Sequence, residues 1–185
     1  RSRKMTASMK IRSTIMFALH EYMHENGYTE IEAPSLNAAT SEGGSETFEV
    51  KYFDKKAYLT QSWQFYAENI IASVGKAYSM APSFRAEKSK TPWHVTEFWH
   101  FEVETAWMNL EEDMKLAENC VIHAIKKVIK ENARELEVLE VDIKKLNKIK
   151  IPFKRITYDE AIKKLQSKGH KIKHGEDFGA KEERG

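Results

Sequence analysis

Two stretches of this 185-residue chain carry side chains whose types and spacing could do chemistry. The first runs Ser83-Phe84-Arg85-Ala86-Glu87 and resumes, after a polar loop, at His94-Val95-Thr96-Glu97-Phe98-Trp99. Its flanks alternate as two strands meeting at a loop would, and a period of two puts Arg85 and Glu87 on one face. A guanidinium there offers a bidentate fork to a phosphate, and Glu87 can accept from an exocyclic amine. Phe98 could stack on a flat base. Together they would seat a nucleotide, yet the same residues also fit a plain hairpin with a surface salt bridge. The residues alone leave both readings open.

The second stretch, His20-Glu21-Tyr22-Met23-His24, matches the H-E-x-x-H zinc pattern on an expected helix, with Gly27 at the glycine of its longer form. His20 and His24 would share a face, with Glu21 as a base. The third-ligand position, however, holds Glu30, inside a strand-like run. A histidine pair on the solvated side of an amphipathic helix is the preferred reading, with a zinc metallopeptidase as the alternative and no metal ligand assigned.

The elements that must position these residues follow from periodicity. Met5, Met9, Ile15, Met16, Leu19, Tyr22 and Met23 recur at helical spacing up to Gly27. Tyr28 to Ala33 alternates and runs into Pro34, as a strand stopping at a sheet edge would. A hairpin is predicted over Thr47 to Phe53 and Ala57 to Thr60, turning at Asp54-Lys55-Lys56. A short helix is predicted over Gln64 to Val74, closed by Gly75. Strands are predicted over Ala77 to Ala86 and His94 to Thr105, and helices over Leu110 to about Leu136 and Tyr158 to Lys168. The fold class expected is α+β, an antiparallel sheet with flanking helices, incomplete at its C-terminal side.

Composition sets the bounds. The length suits one domain at roughly 150 residues each. Hydrophobic residues make up 41% and charged residues 31%, a globular balance. The net charge is only +2, so bulk charge points to neither RNA nor membrane. No apolar run approaches the ~18 residues of a membrane span, and the N-terminus does not resemble a signal peptide. Cys120 is the one cysteine, which excludes an internal disulfide and fits the cytoplasm; its apolar helical neighbours make it a core thiol. Lys126, Lys127, Lys130, Lys144, Lys145 and Lys148, interleaved with Glu131, Glu135 and Glu137, read as a solvated face without an RNA role.

The segment Phe84 to Ser89, then Thr91, His94, Glu97-Phe98-Trp99 and Glu102, resembles motif 2 of the class IIb aminoacyl-tRNA synthetases, the aspartyl, asparaginyl and lysyl group. Glu25 to Leu36 resembles motif 1, the dimer-building helix and strand, and Ser41-Glu42-Gly43-Gly44 resembles the loop that closes over the amino acid. Tyr58 to Ser62, with Gln64 and Tyr66, resembles the lining of the amino-acid pocket. Ile156 to Ala161 and Gly175 to Gly179 also match, so the resemblance spans nearly the whole chain.

That resemblance implies ATP-dependent activation of an amino acid and its transfer to tRNA. Arg85 would hold the α-phosphate of ATP and the amino-acid carboxylate. Glu87 would meet the adenine amino group, Phe98 would stack on adenine, and His94 would approach the terminal phosphate. Glu42, Ser62 and Gln64 would contact the amino acid. Where aspartyl members carry a Lys facing the substrate carboxylate, this chain has Ala67, followed by Glu68. A neutral amide suits that pocket better than a carboxylate. Together with Glu97-Phe98-Trp99-His100, this points to asparagine and tRNA(Asn), with Pro34 at the interface of a cytoplasmic homodimer. The aspartyl enzyme, a tRNA-independent relative that makes asparagine and a non-catalytic dimerising paralogue are the alternatives.

Two departures stand out. Pro92-Trp93 precedes His94, where asparaginyl members usually carry an Arg. Motif 3, the acidic segment expected to hold Mg²⁺ and the anticodon-binding barrel are not found. The chain opens at Arg1 and stops at Gly185. Residues 1–185 are therefore expected to be part of a catalytic domain with cut ends, inactive alone.

Overall fold

The computed structural model describes residues 2–40, 47–88, 94–179 and 182. The first helix, α1 (Arg3–Glu25), starts where the Ser2 side chain accepts from the Met5 N–H, filling one of the open donors of the first turn. It stops at Asn26, and Gly27 follows at φ 76, a left-handed conformation that costs glycine little. The chain then enters β1 (Thr29–Glu30), β2 (Leu36–Asn37), β3 (Glu49–Tyr52), β4 (Lys55–Leu59), α2 (Gln64–Val74), β5 (Lys76–Phe84) and β6 (Glu97–Thr105). Four helices follow: α3 (Leu110–Glu131), α4 (Ala133–Val138), α5 (Ile143–Leu146) and α6 (Tyr158–Ser167).

The strands form two three-stranded sheets, β1-β5-β6 and β2-β4-β3. The α+β expectation holds, with one correction: the first sheet is mixed, because β1 runs parallel to β5. The intervening hairpin and α2 return the chain in the same direction, as a parallel pairing requires. The strand expected over Tyr28 to Ala33 is paired only at Thr29–Glu30, prolonged by one bond from the Ile31 N–H to the Tyr78 carbonyl at 2.9 Å. The hairpin turn also moves. Lys55 and Lys56 pair within β4, so Phe53 and Asp54 make the turn, with Phe53 at φ 55.

β5 and β6 pair from Lys76↔Thr105 to Phe84↔Glu97 and divide the sheet into two unlike faces. On one, Tyr78, Phe101 and Val103 pack with Met23, Tyr28, Cys120, Leu19, Tyr22 and Leu116 beneath α1 and α3. Burying each such large side chain contributes about 1.5–3 kcal/mol. On the other, Ala77, Ser79, Ala81 and Ser83 lie opposite Glu104, Glu102, His100 and Phe98. Small residues on β5 leave this face shallow, and α2 covers one end of it by packing Trp63 and Ala67 against Ala77.

α3 begins with a full capping box between Asn109 and Glu112, and acidic residues fill its first turn. The helix expected to reach Leu136 breaks at Asn132, whose φ of −121 and ψ of 30 leave helical geometry. α4 then turns its buried Leu136 inward. Before α3, Trp107 sits at φ 65 and is fully exposed. Beyond α5, the buried Glu118 carboxylate accepts from Arg155 Nη1 at 2.6 Å and the Phe153 N–H at 2.7 Å. Those bonds tie the C-terminal segment to α3. There, Ile162, Leu165 and Ile172 form a small core with Phe178.

Candidate active site

The shallow face of the β5–β6 hairpin brings the predicted residues together at its open end. The ladder closes with the Arg85 N–H donating to the Thr96 carbonyl at 3.0 Å, so Arg85 sits at the neck of the hairpin. Its guanidinium carbon lies 5.6 Å from the centroid of the Phe98 ring, a cation–π approach that holds the fork beside an aromatic platform. Both residues are half-buried, whereas Glu87 and His94 are exposed at the two roots of the loop. β6 begins at Glu97 rather than at His94, because the paired register ends at Phe84↔Glu97.

Ser62 joins this face from the turn before α2. The Phe84 N–H donates to the Thr60 carbonyl at 2.8 Å and the Thr60 hydroxyl to the Ser62 carbonyl at 2.7 Å, fixing the turn against the end of β5. The Ser62 hydroxyl then donates to Glu102 Oε1 at 2.5 Å, and the Trp63 N–H to Glu102 Oε2 at 3.3 Å. His100 Nδ1 lies 3.2 Å from Glu102 Oε2 and 3.2 Å from Ser83 Oγ. Ser62, Glu102, His100 and Ser83 thus line up as a run of polar contacts across the floor, ending where the His100 ring tilts against Phe98 at 5.4 Å.

Sequence reasoning named Ser83, His100 and Glu102 within the runs it singled out but gave none of them a contact in the site. A signal was present, since alternation along β6 places His100, Glu102 and Glu104 on the face that carries Phe98.

The remaining residues fall in different settings. Gln64 is exposed and its amide donates to Glu68 Oε1 at 3.0 Å. Ala67, expected to face the amino-acid side chain, has 0% exposure and packs between Trp63 and Ala77. Its smallness lets α2 lie close to the sheet. Glu68 follows it in α2, and burial, then Glu68, Glu102 and Asp113, push the Glu104 carboxyl above its ordinary range. Pro34 is exposed beyond β1. Glu42, Pro92 and Trp93 lie outside the described residues.

The zinc reading of His20, Glu21 and His24 does not survive the geometry. His20 Nδ1 lies 3.0 Å from the Tyr78 hydroxyl, which donates to Glu30 at 3.2 Å. Glu21 faces α3 instead, accepting from Lys127 Nζ at 2.7 Å with His123 Nε2 at 3.0 Å. A base held this way by a lysine cannot serve a metal beside His20. Among the described residues, no group of three or more His, Cys, Asp or Glu is arranged to hold a metal ion. The acidic segment that the resemblance implies for Mg²⁺ is not found in this sequence, and no step is drawn through that ion. Nor is any helix among them long and apolar enough to cross a membrane.

The Arg85–Phe98 pair thus stands on a two-stranded motif backed by α1 and α3. The family model of class II tRNA synthetases (D, K and N) matches residues 1–184, and the chain belongs to that family. Asparagine–tRNA ligase of Pyrococcus abyssi is 46% identical over 184 residues, covering 100% of this chain and 42% of the relative. That of Thermococcus kodakarensis is 47% identical over 185 residues, 43% of its length. Among solved structures, asparaginyl-tRNA synthetase from Pyrococcus horikoshii complexed with asparaginyl-adenylate superposes with a TM-score of 0.95 at 44% identity, over 100% of this chain and 42% of that one. Aspartyl-tRNA synthetase from Entamoeba histolytica gives 0.74 at 28% identity, over 96% of this chain and 33% of that one. The chain spans well under half the length of these relatives.

Proposed function

We propose that this chain forms part of an enzyme that activates asparagine with ATP and transfers it to tRNA(Asn). The observation that carries the reading is the Arg85–Phe98 platform, joined through His100 and Glu102 to Ser62, on a chain similar to an enzyme solved with asparaginyl-adenylate. ATP would lie with adenine on Phe98, its amino group toward Glu87, its α-phosphate in the fork of Arg85 and its terminal phosphate toward His94. Glu42, Ser62 and Gln64 would contact asparagine.

The asparagine carboxylate attacks the α-phosphorus in line, pyrophosphate leaves, and the terminal ribose hydroxyl of tRNA then captures the adenylate. Nothing in this sequence of steps needs a protein nucleophile. What it needs is positioning and a fixed cation where negative charge concentrates, which Arg85 supplies. Glu102 accepts bonds from Ser62 and Trp63 and so holds the pocket side of the floor in place.

Specificity for the amide follows from charge. With Glu68, Glu102 and Glu104 close by and Ala67 in place of a cation, a second substrate carboxylate meets repulsion while an amide can donate. Assembly as a cytoplasmic homodimer through α1 and the stretch ending at Pro34 belongs to the same proposal.

Calorimetry with non-hydrolysable asparaginyl- and aspartyl-adenylate analogues tests the reading. Tighter binding of the asparaginyl analogue, lost in Arg85→Ala, is the expected result. A preference for the aspartyl analogue would overturn the amide assignment, and unaltered binding by Arg85→Ala would overturn the placement of the α-phosphate.

A further inference from the structure

Charge is spread unevenly along this chain. Residues 141–175 hold eleven Lys and Arg against three Asp and Glu, a net charge of +8 in a chain that totals +2, which leaves −6 on the remainder. The sequence analysis groups part of this stretch with lysines of α3, of which Lys126 and Lys130 are exposed as well. Lys127 is held by Glu21, as Lys4, Lys10 and Lys56 are by Glu140, Glu135 and Glu49. By contrast, Lys144, Lys145, Lys148, Lys150, Lys164 and Lys171 are exposed, and none lies within ion-pair distance of a carboxylate among the described residues.

These lysines also stand on an ordered support. Arg155 and Phe153 fasten the segment to Glu118, and Asp142 caps α5 by accepting from the Lys144 and Lys145 N–H groups. A capping box between Thr157 and Glu160 starts α6, whose Ile162 and Leu165 are buried while Lys163 and Lys164 face solvent. Like charges at this density repel one another unless a polyanion or salt compensates them.

We propose that residues 141–175 form a surface that receives the phosphate backbone of an RNA helix, built from residues other than those assigned to the adenylate. The inference rests on the tRNA ligase reading and adds where the RNA bears on this chain. Contacts of this kind bring affinity through counterion release and carry no sequence information, so they position the RNA without selecting it.

The test is fluorescence anisotropy of a labelled tRNA(Asn) transcript with this chain, between roughly 50 and 200 mM KCl. Two variants each remove four charges: Lys144→Gln with Lys145→Gln, Lys148→Gln and Lys150→Gln, and Lys163→Gln with Lys164→Gln, Lys171→Gln and Lys173→Gln. A control removes four elsewhere, at Lys51, Lys55, Lys115 and Lys126. At least one of the two is expected to bind roughly tenfold more weakly, with a salt slope shallower by about 0.9 per lost phosphate contact, while the control binds as the parent does.

Equal losses in all three variants, or none in any, would overturn the proposal. Displacement of the RNA by polyglutamate at equal charge concentration would also overturn it, in favour of an acidic protein partner. Asparaginyl-adenylate analogue binding, measured on the same variants, is expected to be unchanged. Its absence in the parent chain would count against the adenylate reading, whereas RNA results that fail while it persists would count against this surface alone.

Discussion

Glu104 shows how one residue's surroundings bear on specificity. Burial first, then Glu68, Glu102 and Asp113, hold its carboxyl above the ordinary range. A carboxyl raised in the folded state favours folding when protonated, so that contribution is lost as pH rises past its ordinary value toward the raised one. Glu104→Gln is therefore expected to melt higher than the parent at pH 7, with the gain disappearing once acid protonates the parent carboxyl. A pH series of thermal melts reads this directly, and a constant gain at all pH values would refute it. Cys120 is another such case. Burial pushes its thiol up to about 11, leaving roughly a thousandth as thiolate at pH 8. Iodoacetamide is expected to alkylate it only after denaturant unfolds the chain, and mass spectrometry with and without urea decides.

At the scale of elements, α1 and α3 are joined by a polar clamp beside their apolar contact. Lys127 first, then His123, hold the Glu21 carboxyl below its ordinary value, and Glu21 holds the Lys127 ammonium above its own. A depressed carboxyl contributes stability above its unfolded pKa and loses it as pH falls through the folded one. Glu21→Gln should thus melt lower than the parent at neutral pH and converge with it in acid. Parallel melting curves across that range would exclude the clamp. The second tie is Glu118 with Arg155. Arg155→Ala leaves a buried carboxylate short of one partner, with a loss of about 1–3 kcal/mol in urea denaturation.

How much of this was legible depended on reach along the chain. α2 was read to the residue, because an apolar period begins after the Thr60–Ser62 turn and Gly75 closes it. β6 was overextended to His94, since alternation persists where the partner strand has ended. Glu21 and Lys127 are 106 residues apart in sequence, and nothing local in H-E-x-x-H announces that its glutamate belongs to another helix. For the same reason the site was half legible. Arg85, Phe98 and Ser62 were named from type and motif, but the bonds that join Ser62 to His100 need the sheet register.

The molecule has distinct regions: a shallow polar face over small β5 residues, an apolar layer beneath α1 and α3, and a basic C-terminal segment. The first two share one pair of strands, so a change in β5 register would disturb both at once.

The tryptophans turn this layout into an optical instrument. Trp63 is 3% exposed and adjoins Ser62 at the floor, whereas Trp107 stands wholly in water. Iodide should therefore quench the emission of Trp107 and of half-exposed Trp99 and spare that of Trp63, leaving a blue-shifted residual signal. A ligand arriving on the Phe98 platform would alter that spared component, so occupancy of the site could be followed by fluorescence without any label.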